Sequence, residues 1–260
     1  MAEMELCILN KNKEKLAGIF HKINDSKRVI IVCHGLMGGK DRNFIRSFCV
    51  FLNVAGFNAF RFDFSGNGES AGWFEDSKYT KEIEDLRAVI DYFHNDGFRK
   101  IGIVGHSQGG AICVLEAAED TRIDFVISIA GVAYPQGFIQ RFSGWNNISQ
   151  EELRERLKRD GFIEYVKKDG RKFNLAKDFF DDMVGYHPID KVKNIKAPIL
   201  FIHGDQDNSI DIQESRDMLG VANEPKELFI VKGADHIFSD PEKEAEIVKK
   251  SVEWIESVLK

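Results

Sequence analysis

Apolar residues in this 260-residue chain follow two alternating rhythms: short runs of four to six, and longer stretches in which they recur every three or four positions. Runs at Glu5 to Leu9, Leu16 to Phe20 and Val29 to Cys33 read as strands. The first two form an entry hairpin, and the third is an almost unbroken β-branched run of the kind buried on both faces of a parallel sheet. A helix fits Phe44 to Ala55, closed by Gly56, before the strand Phe57 to Phe62 and a glycine-rich loop, Asp63 to Gly72. Ile83, Leu86, Val89, Ile90 and Phe93 have helical spacing and predict a helix over Glu82 to Phe93 with one buried face, ended by Gly97.

The strand Ile101 to Val104, a tight turn, and a helix reaching Ala118 come next, followed by the strand Phe125 to Ala130. Pro198 to His203 and Leu228 to Val231 add two strands around a helix near Glu214 to Leu219. Asp240 and Pro241 then supply the N-cap and first turn of a final helix. Strands alternating with helices predict an α/β fold: a mostly parallel, eight-stranded sheet covered by helices on both faces.

Residues 134–187 break the alternation and are expected to form a small helical insertion, or cap, after the sixth strand, with residues 1–133 and 188–260 as the core. Helices are predicted at Glu151 to Lys158 and Leu175 to Val184, the first opened by a capping box of Ser149 and Glu152. Arg154, Arg156, Lys158 and Arg159 alternate with Glu152 and Glu155, which makes them a solvated helix face. Ten of these 54 residues are aromatic, enough both to pack the insertion onto the core and to line an apolar pocket.

A net charge of −6 argues against nucleic acid as a partner. The first residues lack a signal-peptide pattern and no apolar run reaches membrane-spanning length, so a cytoplasmic chain without membrane insertion is expected. Cys7, Cys33, Cys49 and Cys113 are too scattered for a metal cluster, and three of them sit in buried runs.

Chemistry concentrates at Gly105-His106-Ser107-Gln108-Gly109-Gly110, between a strand and a helix. A serine in such a turn has a strained positive φ, and glycines two residues to either side remove Cβ atoms that would collide with neighbouring elements. A serine hydroxyl needs a positioned base, and a base needs a carboxylate. His236, between the last strand and the last helix, fills the first role. His21 and His94 look like surface positions, His106 points away beside the serine, His187 lies in a linker, and His34 and His203 end strands in structural roles. For the carboxylate, Asp207 is preferred to Asp205, which is expected to shape its own turn through an Asx-type bond, and to Asp235, which faces the wrong way. Two N–H donors for an oxyanion would come from Gln108 and, after the third strand, from Leu36 in His34-Gly35-Leu36-Met37-Gly38-Gly39. No Lys-Ser or Lys-Thr follows Gly38-Gly39, so this is no phosphate-cradling loop.

In the order Ser107, Asp207, His236, the chain resembles the α/β-hydrolase superfamily over essentially its whole length. Arg61 to Ser70, Gly105 to Gly110, His203 to Asp207 and Gly233 to Asp240 look like the corresponding segments of bacterial cinnamoyl or feruloyl esterases. Those enzymes hydrolyse hydroxycinnamic esters and carry a small insertion after the sixth strand. The resemblance implies a catalytic Ser107, Asp207 and His236, with Leu36 and Gln108 at the oxyanion, acting on a small-molecule ester with no cofactor and no metal. Thioesters, monoacylglycerols or small peptides could use the same residues. A binding protein that kept the fold without the chemistry is the reading from another class, and self-association as a homodimer stays open.

Overall fold

The computed structural model describes residues 2–259, residue 168 excepted. Its elements, in chain order, are β1 (Ala2–Leu9), β2 (Lys15–Lys22), β3 (Arg28–Cys33), α1 (Asn43–Val54), β4 (Ala59–Phe62), α2 (Tyr79–Asn95), β5 (Lys100–His106), α3 (Gln108–Ala117) and β6 (Ile123–Ile129). After these come α4 (Phe138–Asn146), α5 (Gln150–Asp160), β7 (Phe162–Val166), β8 (Lys172–Ala176), α6 (Lys177–Met183), α7 (Pro188–Lys191), β9 (Ile199–Gly204), α8 (Ile212–Val221), β10 (Lys226–Val231) and α9 (Pro241–Val258).

Eight strands form one sheet in the order β1-β2-β4-β3-β5-β6-β9-β10. The strand β2 runs antiparallel to both of its neighbours, and from β4 to β10 every pairing is parallel. Alternate residues of the central strands enter two separate cores, which is why β3 reads as continuous apolar sequence. Val29, Ile31 and Cys33 pack with Leu86 and Val89 of α2 and Ile112 of α3, while Ile30 and Val32 pack with Phe48 of α1 and Ile255 of α9. The helix ends follow the sequence signals. Gly56 takes φ 91° after α1 and Gly97 takes φ 87° after α2, and the Asp240 carboxylate accepts from the Glu242 N–H ahead of α9.

The insertion differs from the expected all-helical form. The strands β7 and β8 pair as an antiparallel hairpin, closed by a turn in which Gly170 has φ 82°. Ile163 faces Leu175 and Tyr165 faces Phe173, so the alternating residues of Phe-Ile-Glu-Tyr-Val sort to one side as a strand's must. Leu175 therefore lies in β8, and the helix predicted over Leu175 to Val184 starts only at Lys177. The helix expected at Glu151 to Lys158 is present as α5, with the Ser149 hydroxyl accepting from the Glu152 N–H. Phe138, Phe142, Phe179 and Phe180 are buried against one another and continuous with the core beside α2. These aromatics hold the insertion down. The carboxylate of Asp182 accepts from the Thr80 backbone N–H at 2.9 Å and so ties α6 to the start of α2.

Candidate active site

Every strand that brings a residue to the site delivers it at its carboxyl end. Ser107 joins β5 to α3 with φ 56° and ψ −122°, and its N–H donates to the Ile129 carbonyl of β6 at 2.8 Å. A Cβ at Gly105 would lie 2.1 Å from the Gly109 carbonyl oxygen, and one at Gly109 would lie 2.4 Å from the His34 carbonyl oxygen. The turn is packed so closely between β3 and α3 that only glycine fits at either position.

His236, in the loop between β10 and α9, places Nε2 3.1 Å from Ser107 Oγ and Nδ1 2.7 Å from Asp207 Oδ2. With Nδ1–H donating to the carboxylate, Nε2 is left to accept from the serine hydroxyl. Asp207 has no exposed side-chain surface and is heavily bonded. Its Oδ2 also receives His203 Nε2 at 3.2 Å, and its Oδ1 accepts from the N–H groups of Ser209 and Ile210 at 2.7 and 2.9 Å. Burial pushes its carboxyl up, but the hydrogen bonds from His203 and His236 outweigh that and hold it well below the usual carboxylate range. Asp207 is therefore an anion at any pH near neutrality.

The two aspartates of this loop reverse one expectation. The Asx-type bonds belong to Asp207, whereas Asp205 Oδ1 accepts from the Gly233 N–H at 2.6 Å, bracing the loop that carries His236. Asp235 turns away to bind the Ser239 N–H and hydroxyl. His203 is structural, its Nδ1 2.7 Å from Ser215 Oγ. His21, expected at the surface, is buried, with Nε2 accepting from Arg61 Nε at 3.0 Å.

Two neighbours of the serine do more than their positions in the sequence suggested. His106 Nε2 lies 2.8 Å from the His236 carbonyl oxygen. Burial and the facing charge of His236 lower its pKa to about 3, so it is a neutral ring that donates its proton to that carbonyl and steadies the loop. Gln108 donates from its side-chain amide to Glu82 Oε2 at 2.8 Å, and Glu82 Oε1 accepts from the Ser77 hydroxyl at 3.0 Å. Burial pushes the Glu82 carboxyl up to about 7. Nothing in the spacing of α2 marked Glu82 out, since it precedes the apolar face by one residue.

Gly35, next to Leu36, packs directly on the serine turn. A Cβ on Gly35 would sit 2.9 Å from the Cβ of Ser107, so the loop after β3 is in direct contact with the turn. His34 holds this loop, with Nδ1 2.8 Å from the Gly35 carbonyl oxygen and Nε2 accepting from the Phe64 N–H at 3.1 Å. No acceptor among the described residues pairs with the backbone N–H of Leu36 or Gln108. Also among the described residues, no three His, Cys, Asp or Glu side chains gather to hold a metal ion, and no helix is long and apolar enough to cross a membrane. Cys33, Cys49 and Cys113 are buried, Cys7 is exposed, and burial raises the Cys33 and Cys49 thiols far above their ordinary value.

Over residues 24–242 the chain matches the family model described as serine aminopeptidase, S33 (Hydrolase_4). The protein YqkD of Bacillus subtilis (strain 168) is 25% identical over 225 residues, spanning 83% of this chain and 67% of that protein. Est1E from Butyrivibrio proteoclasticus, solved with ferulic acid bound, superposes with a TM-score of 0.81 at 23% identity, covering 98% of this chain and 99% of Est1E. The esterase domain from a Rhodothermus marinus protein gives 0.73 at 20% identity, covering 98% of each chain. At such identities the structural likeness establishes the α/β-hydrolase fold.

Proposed function

Since the chain belongs to the family of hydrolases described as serine aminopeptidase, S33, we propose that it is a cofactor-free serine hydrolase of carboxylic esters, working through an acyl-enzyme on Ser107. The observation that carries this reading is the unbroken relay from Ser107 Oγ through His236 to the ionised Asp207. His236 Nε2 takes the serine proton as Oγ attacks the ester carbonyl. Asp207 fixes the tautomer that leaves Nε2 free and stabilises the imidazolium that results. The N–H groups of Leu36 and Gln108 take the oxyanion of the tetrahedral intermediate. Collapse expels the alcohol, protonated by His236, and a water activated by the same nitrogen then releases the acid.

An ester fits the surroundings better than the N-terminal residue of a peptide. An aminopeptidase needs a carboxylate free to hold the substrate's ammonium group, and the carboxylates bonded to His236 and to Gln108, Asp207 and Glu82, are already engaged by His203, His236, Gln108 and Ser77. Aryl esters such as hydroxycinnamates are the first class to try, given the ferulic acid held by Est1E. Ser107→Ala should lower kcat on p-nitrophenyl esters by about five to six orders of magnitude and abolish fluorophosphonate labelling. Turnover retained by that variant, or aminoacyl anilides cleaved faster than any ester by the parent, would overturn the proposal.

A further inference from the structure

The loop that carries Leu36 is gripped from the insertion as well as from the sheet. Met37, the next residue, takes φ 55°, a left-handed conformation that a non-glycine residue adopts only under strain. The Gly38 N–H folds back onto the Gly35 carbonyl at 2.9 Å, which makes residues 35–38 a single tight turn. His34 fixes the Gly35 carbonyl at 2.8 Å, and Lys167, in the turn between β7 and β8, donates from Nζ to the Met37 carbonyl, also at 2.8 Å. The unpartnered Leu36 N–H therefore lies between two clamped carbonyls. A second contact from the same hairpin turn, Asp169 with Arg42 at 3.6 Å, reaches the residue just before α1.

We propose that Lys167 is a positioning residue for the oxyanion turn: from the insertion, its ammonium group holds the Met37 carbonyl and so aims the Leu36 N–H at the reaction centre. The inference rests on the reading of Ser107 as nucleophile. Lys167 is half-buried, and among the described residues no carboxylate forms an ion pair with it; its other neighbour is the Phe173 ring, 5.5 Å away. Among the described residues, the charged and titratable groups around it are Arg42 before α1, Asp169 and Arg171 on its own turn, and His34 across the loop. Burial first, and Arg42 second, lower its ammonium to about 8, with Asp169 opposing them. The clamp therefore loses its positive charge in the mildly alkaline range. The insertion in this way contributes to the chemistry.

The test compares Lys167→Met, Lys167→Arg and, as a control for the hairpin, Lys172→Ala, whose partner Glu164 lies within the hairpin. On a p-nitrophenyl ester, Lys167→Met should lower kcat about 10- to 100-fold with KM within about twofold, since a displacement of the donor by a fraction of an ångström acts on the transition state. Lys167→Arg should recover most of kcat, and Lys172→Ala should match the parent. Between pH 7.5 and 9, kcat of the parent should fall about threefold relative to Lys167→Arg, which keeps its charge throughout. Hydrogen exchange followed by mass spectrometry, without substrate, should show the segment 34–40 exchanging at least about tenfold faster in Lys167→Met while β5 is unchanged. Unchanged exchange in that segment, or a loss expressed in KM alone, overturns the positioning role. Because the exchange measurement involves no turnover, it stands apart from the fate of Ser107 as nucleophile, which Ser107→Ala decides.

Discussion

Replacing Gly35 with alanine would put a methyl carbon 2.9 Å from the Cβ of Ser107 and 3.1 Å from the His106 carbonyl oxygen. Non-bonded carbons settle at roughly 3.5–4.0 Å, so the loop after β3 and the serine turn must part by about 0.6 Å or more. Neither side yields easily. Ser107 is fixed by its N–H bond to β6, and residues 34–38 are held by His34 and their own turn. Overpacking of this kind costs about 1–3 kcal/mol of stability, and a shift of up to an ångström between the proposed nucleophile and the proposed oxyanion donor costs about 10²-fold in rate. Gly35→Ala should therefore unfold at lower urea and turn over a p-nitrophenyl ester about 100-fold more slowly, with KM little changed. A double-mutant cycle isolates the contact. Ser107→Gly removes the opposing Cβ, so alanine at 35 should cost about 1 kcal/mol less stability in that background. A Gly35→Ala enzyme within twofold of the parent in kcat, with stabilities that add across the cycle, would refute the packing argument.

Asp207→Asn should lower kcat by about 10⁴-fold, because the amide cannot select the His236 tautomer that frees Nε2; steady-state kinetics on the same ester measures this, and a loss under tenfold would count against Asp207. The depressed pKa of Asp207 also has a stability signature. Its contribution is fully present above the ordinary carboxylate value, about 4, and is lost progressively as pH falls from there toward the folded-state value, so the stability gap between parent and Asp207→Asn should hold from pH 6 to about 4 and narrow steadily from there to pH 2.5 in urea unfolding. Glu82 has the opposite sign. With its carboxyl raised to about 7, the native state holds a proton that the unfolded chain has released, so stability falls as pH rises from about 4.5 to 7. Glu82→Gln should remove that slope, gaining on the parent by on the order of 2–3 kcal/mol across the window; parallel unfolding curves at the two pH values would exclude a buried, protonatable Glu82.

The sheet was legible because each central strand announces its own burial. Val29 to Cys33, Ile101 to Val104 and Phe125 to Ala130 are apolar on both faces, and each has a helix packed on either side of it. The groups at the strand ends were legible for a related reason, since Ser107, Asp207 and His236 each follow a strand and the order of the strands brings them together. What escaped was local where two rhythms compete. Phe162 to Val166 alternates in burial but not in residue type, because Phe162-Ile163 and Tyr165-Val166 are both apolar pairs around Glu164, so despite the turn signal at Asp169-Gly170 the strand period is not visible between the polar helix before it and Phe179-Phe180 after it. Long-range partners escaped as well. The bond from Asp205 to Gly233, that from Glu82 to Gln108 and the burial of His21 under Arg61 each join residues more than 25 positions apart, and no spacing rule encodes them.

Ser107 holds a backbone conformation that glycine adopts freely and serine does not. A sequence shaped only by the demand to persist in the folded state would put glycine at 107, gaining the roughly 1–3 kcal/mol of strain stored there. The chain forgoes that gain at a single φ angle. On the proposed reading of Ser107 as nucleophile, its thermal margin is set partly by its chemistry, so a stabilising screen run without an activity filter should pick out this turn among the first positions to change.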